Sequence, residues 1–414
     1  MLFTTKFSSL LHAIGAILSA GIMMTLLLTS CMQTNTKTDA VNAATDALPS
    51  LQNTIMAAGG VNKGFLHPNG KAYFLNYYSA SVVAKDALLR KIPLPDLHPP
   101  LGQILSDIGF DSQSGLVYVL DRAADAIHVI SETTLITTLV GIAEQPRMIV
   151  EDQDSNEVYI FYTSQTRKTD RFRALIMSGT TVVAETILPA SPWAVKYNPI
   201  DGHIYGAGEQ YMADGSQSNA LFVIDNHRVI TTILPLDSNP QLGVVDMAIN
   251  PENGDVHVLL STKVVTWDRV NPPYSVNLLE AGYKNPQCIT VDPTRELLYV
   301  CSWMEKGSYA LVMTKERFKT AIPIKKWPEA IAWDRKHDYV YIAHYDPTNL
   351  SIIRGTDLIT TLDIVGFGTS NIVVDEDGGR IYTANADDGS ISVFGFDQAD
   401  KPSFWQRFLP FIQR

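Results

Sequence analysis

The sequence predicts an all-β fold, a single β-propeller of eight four-stranded blades, on three observations. An Asp or Asn ending one apolar run is followed seven residues on by an aromatic or His inside a second, at Asp111/Tyr118, Asp152/Tyr159, Asn198/Tyr205, Asn250/His257, Asp292/Tyr299, Asp334/Tyr341 and Asp375/Tyr382. A looser first copy stands at His67/Tyr73. The aromatic-to-aromatic steps are 45, 41, 46, 52, 42, 42 and 41 residues, and a period near forty built from short strands is that of propeller blades. Finally, the last copy has no fourth strand after Phe394, whereas Leu51 to Met56 supplies one at the other end of the chain. Seven blades is the alternative, if the first copy is irregular and the 52-residue step hides a distorted blade.

Along the chain, residues 1–30 carry Lys6 as their only charged side chain, and Leu10 to Leu28 is almost wholly apolar. This composition reads as an export signal. Leu28-Thr29-Ser30-Cys31 resembles a bacterial lipobox, which implies lipidation of Cys31 and a mature chain beginning there. The competing reading is a single transmembrane anchor of bilayer-spanning length. A polar linker follows over 31–50, and the propeller occupies 51–396. Either reading of the start places the propeller outside the cytoplasm, anchored to the cell envelope.

The copy at 286–325 shows the blade grammar. Cys288 to Asp292 is rich in β-branched residues, Pro293-Thr294-Arg295-Glu296 reads as a turn, and Leu297 to Cys301 pairs back. A turn containing Gly307 leads to Ala310-Leu311-Val312-Met313, and a last strand covers Phe318 to Ile324. Third strands follow at 126–130, 173–177, 220–224, 263–267, 309–313, 350–353 and 390–394. They are near-continuously apolar, as strands packed on both faces are. Fourth strands repeat a Thr-Thr-hydrophobic signature at Thr137-Thr138-Leu139, Thr231-Thr232-Ile233 and Thr360-Thr361-Leu362. A strand at 51–56 would close the last blade and leave no unpaired edge at the seam.

The runs CITVDPTRELLYVCS and IVVDEDGGRIYTAN, at 288–302 and 372–385, resemble the repeat of YVTN-type β-propellers, a family of exported or surface proteins. The resemblance covers roughly residues 51–396 and implies a fold more than an activity, since propellers of this shape include lactonase-like, lyase-like and quinoprotein forms.

The formal net charge of −11, without a basic stripe, argues against nucleic acid as partner. Beyond Cys31 the cysteines are Cys288 and Cys301. If Asp292 pairs with Leu297, these two face each other across the hairpin and fit a disulfide in an oxidising compartment. Alternatively the slots simply require small residues, because Ala194/Ala207 and Ala330/Ala343 occupy them elsewhere.

Repeat arithmetic also marks the channel mouth. Five residues before each Asp/Asn stand Asn62, Ser106, Arg147, Trp193, Val245, Gln287, Glu329 and Ser370, with Asp107, Asp246 and Asn371 one step on. Second strands end near Asn76, Asp121, Tyr162, Trp303, His344, Tyr345 and Asn385. Arg147, Trp193, Gln287, Trp303, Glu329, His344 and Tyr345 form the candidate binding set for a small molecule or protein. The competing reading is that wet positions accept any polar residue. The alternative function is a lyase or lactonase-like enzyme with His344 and Glu329 as acid and base. No nucleophile elbow, zinc motif, phosphate loop or heme-attachment motif occurs, and no cofactor or metal is expected. Asp152-Gln153-Asp154-Ser155-Asn156 spaces oxygens like a calcium loop but lacks its glycine and closing acid, so it reads as a turn. The aromatic, basic tail at 397–414 reads either as a membrane-interface anchor or as a cap on the propeller.

Overall fold

The structure, a computed structural model, describes residues 48–57, 60–97, 105–167, 170–211, 216–233, 236 and 242–396. The export signal, Cys31, most of the linker and the tail lie outside the described residues. The described strands form eight antiparallel four-stranded sheets. In chain order these are blade 1 (63–93), blade 2 (105–140), blade 3 (146–187), blade 4 (191–233), blade 5 (244–277), blade 6 (286–324), blade 7 (328–363) and blade 8 (369–395). Blade 8 is completed by Ser50–Met56, which pairs antiparallel with Ser390–Gly395. The ring is thus closed by the N-terminal strand, and the count is eight. The long step between blades 4 and 5 hides no extra blade: its residues go into nine-residue second and third strands, His203–Tyr211 and Gln217–Asp225, and into the chain between Ile233 and Val244.

Each blade is sandwiched between two others, so both faces of its middle strands are apolar. Buried side chains gather at the blade interfaces: Tyr73, Leu75 and Val82 of blade 1 meet Ile108, Val117 and Val119 of blade 2. At the seam Ile55, Tyr382 and Val393 meet Ala72, Phe74 and Val83. The Asp/aromatic mark is part of this glue. Asp111 Oδ1 accepts the Gln113 and Ser114 amides at 3.0 and 3.1 Å, closing the first turn of its blade. Asp152 does the same for Asp154 and Ser155, which supports the turn reading of that segment. The aromatic then reaches the next blade: the hydroxyls of Tyr73, Tyr118 and Tyr299 donate to the Glu132, Gly179 and Gly355 carbonyls at 2.8–2.9 Å. Burial holds all three phenols above their ordinary pKa, so they stay donors.

Cys288 and Cys301 are direct partners on adjacent strands, with Cα atoms 5.3 Å apart and sulfurs joined.

Candidate functional site

Antiparallel pairing puts inner-strand starts, second-strand ends, third-strand starts and fourth-strand ends on one face, the mouth. At this face seven of the eight inner strands share a one-residue register shift. The unpaired residue is Ser106, Arg147, Trp193, Val245, Gln287, Glu329 or Ser370 in turn. The positions picked out by repeat arithmetic are therefore β-bulges. A bulge frees one side chain from the alternation of its strand and re-aims it. In blade 4 the flanking Pro192 and Ala194 are buried while Trp193 is 48% exposed. Blade 1, whose inner strand is only Lys63–Leu66, has no such shift, in keeping with its looser repeat.

The bulged residues divide by chemistry. Ser106 donates to the Pro146 carbonyl at 2.7 Å and Ser370 to the Val61 and Asn62 carbonyls at 3.2 Å, each stitching its blade to the next. Asp107 and Asp246, one residue further on, do likewise by accepting the Ile149 and Ile289 amides, both at 3.1 Å. These polar residues are structural. Asp246 also borders a cavity of about 450 Å³ with Lys196, Tyr197 and Thr290. Burial raises the Asp246 carboxyl above its usual range, against the opposing charge of Lys196.

Second-strand ends are mostly turn caps. Asn76 donates to Ser79 and Ser81, and Asn385 to Ser390 and Ser392, at 2.9–3.1 Å. Asp121 Oδ1 accepts the Ala123 and Ala124 amides at 3.1 Å. Tyr162 bonds Glu185, which also pairs with Arg173. His344 is another buried end, at 0% exposure, with Nε2 2.9 Å from Ser351 Oγ and Nδ1 3.2 Å from the Lys326 carbonyl oxygen. Burial lowers its pKa to about 4. Glu329 is exposed on its bulge, its carboxyl raised by partial desolvation. Arg147 lies in blade 3 and Glu329 in blade 7, opposite positions in a ring of eight. Arg147 and Glu329 thus stand across the ring from one another, and the His344 imidazole is taken up by Ser351 of its own blade and by the Lys326 carbonyl in the connection before it.

What the mouth does expose is aromatic. Trp303, Trp327 and Tyr345 are 36%, 43% and 37% exposed, with Tyr77 and Phe367 nearby in the same face's connections. The Tyr345 hydroxyl donates to Asp387 at 2.9 Å, linking blades 7 and 8. Across the ring Arg147 lies over the Trp193 ring, 5.2 Å from its centroid. Around this pair a cavity of about 180 Å³ is lined by Arg122, Gln165, Arg171, Phe172 and Tyr211 among others. Sequence reasoning missed Arg122, Arg171, Phe172 and Trp327 because they stand in connections and at a third-strand start, and it missed Tyr211 because the second strand it ends, His203–Tyr211, runs to nine residues. The usable signal was Arg171-Phe172 opening a third strand, a cation and an aromatic at one mouth position. Among the described residues no group of three or more His, Cys, Asp or Glu is placed to hold a metal.

No family model and no curated protein sequence matches the chain. Solved structures align with most of the described ring. The propeller of Dos1 aligns with a TM-score of 0.65 at 9% identity, covering 84% of this chain and 96% of that one. BamB from Moraxella catarrhalis gives 0.59 at 10% identity, covering 84% and 100%. Hydrazine synthase from Kuenenia stuttgartiensis gives 0.51 at 12%, covering 85% and 98%. At such identities the likeness establishes the eight-bladed β-propeller fold and nothing finer.

Proposed function

We propose that this chain is a cell-envelope lipoprotein of YVTN-like repeat whose propeller is a scaffold, binding a protein partner on its mouth face without chemistry of its own. The observation that carries the reading is the set of inner-strand bulges that lift Arg147, Trp193 and Glu329 out of their strands, beside exposed Trp303, Trp327 and Tyr345. Large aromatics exposed together on one face are the residues that anchor protein interfaces. BamB, the propeller from Moraxella catarrhalis, lends the reading the shape of a known propeller and no more.

Site-specific photo-crosslinking in the producing cell tests it. A crosslinker at Trp193 or Trp303 should give discrete protein adducts, whereas one at Gly179 or Gly355, on the opposite face, should give none. Adducts confined to the opposite face would overturn the mouth reading. Lipidation has its own check: mass spectrometry should find a mature chain beginning at a modified Cys31, and Cys31→Ala should abolish the modification. An unmodified Cys31 still joined to residues 1–30 would refute it.

A further inference from the structure

Arg122 and Arg171, from the second-to-third-strand connections of blades 2 and 3, and Arg147, from the inner-strand bulge of blade 3, line one cavity of about 180 Å³. Among the described residues none of the three forms an ion pair. Two carboxylates nearby are engaged: Glu144 accepts the Thr166 amide and hydroxyl and bonds Ser164, and Glu185 pairs with Arg173. Glu209 is the one carboxylate lining the cavity. Two of the guanidiniums are held on aromatic faces, Arg147 over Trp193 at 5.2 Å and Arg171 over Phe172 and Tyr211 at 4.9 and 5.8 Å. Stacking covers the flat face of a guanidinium and leaves its N–H edge free for a planar oxyanion. Partial burial and the nearby charge of Arg122 both lower the Arg147 pKa. Three guanidiniums gathered in one concavity, two of them held by rings, with Glu209 the single carboxylate among its lining residues, leave an excess of positive charge in a protein of net charge −11, and an anion from outside can answer it.

The cavity opens beside a second concavity of about 700 Å³ along the seam of blades 3 and 4. Its walls are Ile187, Leu188, Pro189 and Val229 with Asp170 at one end, and it shares Arg171, Phe172 and Tyr211 with the arginine cavity. A small free anion would use the first space and leave this apolar one empty. An extended peptide uses both. We infer that the arginine cavity receives a carboxylate of a bound peptide segment, whose adjoining apolar residues lie in the groove between blades 3 and 4. This assignment rests on the scaffold reading and names the chemistry of the segment it would bind.

The test is a random-peptide display selection against the detergent-purified full chain, followed by titration of the selected peptides. Selected sequences should carry Asp or Glu beside apolar residues. Affinity should fall at least tenfold on replacing the peptide's acid by its amide, and likewise on Arg147→Gln or Arg122→Gln. Arg147→Lys should recover only part of the loss, because an ammonium offers a point charge where the fork offers two parallel donors. Thermal melts of the variants confirm that each is folded. Selected peptides without acids, or arginine variants that bind like the parent, overturn the assignment. Peptides that lose affinity on Trp303→Ala but not on Arg147→Gln refute it while the mouth reading stands. Peptides indifferent to both refute the two together. Inorganic phosphate is titrated alone as a separate arm. Phosphate binding with the same arginine dependence, in a selection that yields no peptide, would make this a small-anion site and also overturn the assignment.

Discussion

Trp327 has φ of +49° in a slot, seven residues before the Asp mark, where blades 1 and 8 have Gly60 at +64° and Gly368 at +72°. A bulky side chain in the left-handed region costs about 1 kcal/mol or more, so Trp327→Gly should raise stability by about 1 kcal/mol in denaturant melts. If the mouth binds a partner, the same variant should weaken that binding, since the indole is exposed and touches no core cluster. Neither effect was legible in the sequence, because a repeat read by spacing shows which residues share a slot and says nothing of the backbone angle there. Histidines behave similarly. His257 replaces a Tyr of the mark, and burial lowers its pKa to about 3, as it lowers that of His344 to about 4. Unfolded imidazoles take up protons near pH 6.5 while these two stay neutral in the fold. Between about pH 6.5 and 4 the unfolded state therefore binds more protons, and stability falls as pH falls, by about 1.4 kcal/mol per unit for each histidine. His344→Gln should flatten the decline measured between pH 7 and 5; an unchanged slope would show that His344 ionises freely in the fold. The residue type at 344 was visible from the start, but its burial was set by the Ser351 partner on the neighbouring strand.

Strands were legible because each obeys a local rule that the ring then reinforces. Apolar third strands, Thr-Thr fourth strands and the displaced strand Ser50–Met56 all take the places expected of them. Removing residues 51–57 would strip a complete ladder from blade 8 and take Ile55 and Ala57 out of the seam cluster, uncovering the side chains packed with them. That deletion should cost several kcal/mol, and a variant that melts like the parent would show that the seam contributes nothing. The hairpin of blade 6 was legible for the same reason: a constant seven-residue step sets its register and hence the pairing of Cys288 with Cys301. A cross-link closing about a dozen residues constrains the unfolded chain by about 3 kcal/mol. The Cys288→Ala/Cys301→Ala double variant should accordingly lose roughly 2–3 kcal/mol relative to the oxidised parent, with most of that gap vanishing in reductant. Bulges were the element that spacing hid. Repeat counting located their seven residues but could not show that each is unpaired, because a one-residue slip on one strand leaves the interval between marks unchanged.

At the scale of the molecule the two faces differ in what leaves them. The pairing of Ser50 with Gly395 and of Met56 with Ser390 runs the closing strand toward the mouth, so the chain enters blade 8 from the opposite face. Gly395 ends its strand on that same opposite face, where Phe396 stacks on His337 with centroids 3.5 Å apart. The linker from Cys31 and the aromatic, basic tail after residue 396 thus both attach on the side away from the mouth. If Cys31 carries the proposed lipid, tether length alone does not orient the ring, since the residues between Cys31 and Ser50 can extend to about 60 Å, more than a propeller's thickness. The tail supplies the missing constraint if its Trp405, Phe408 and Arg407 settle in the headgroup region, because a second attachment on one face prevents the ring from turning over. The expected arrangement has the mouth turned away from the membrane and open to a partner. Fluorophores placed at Gly355→Cys and at Trp303→Cys, in the lipidated full chain on vesicles carrying headgroup nitroxides, read this directly. Quenching should be strong at position 355 and weak at position 303, and deletion of residues 401–414 should bring the two values together. Stronger quenching at 303 would mean that the mouth faces the lipid, and the exposed Trp193, Trp303 and Trp327 would then have to be reread as a membrane-binding surface.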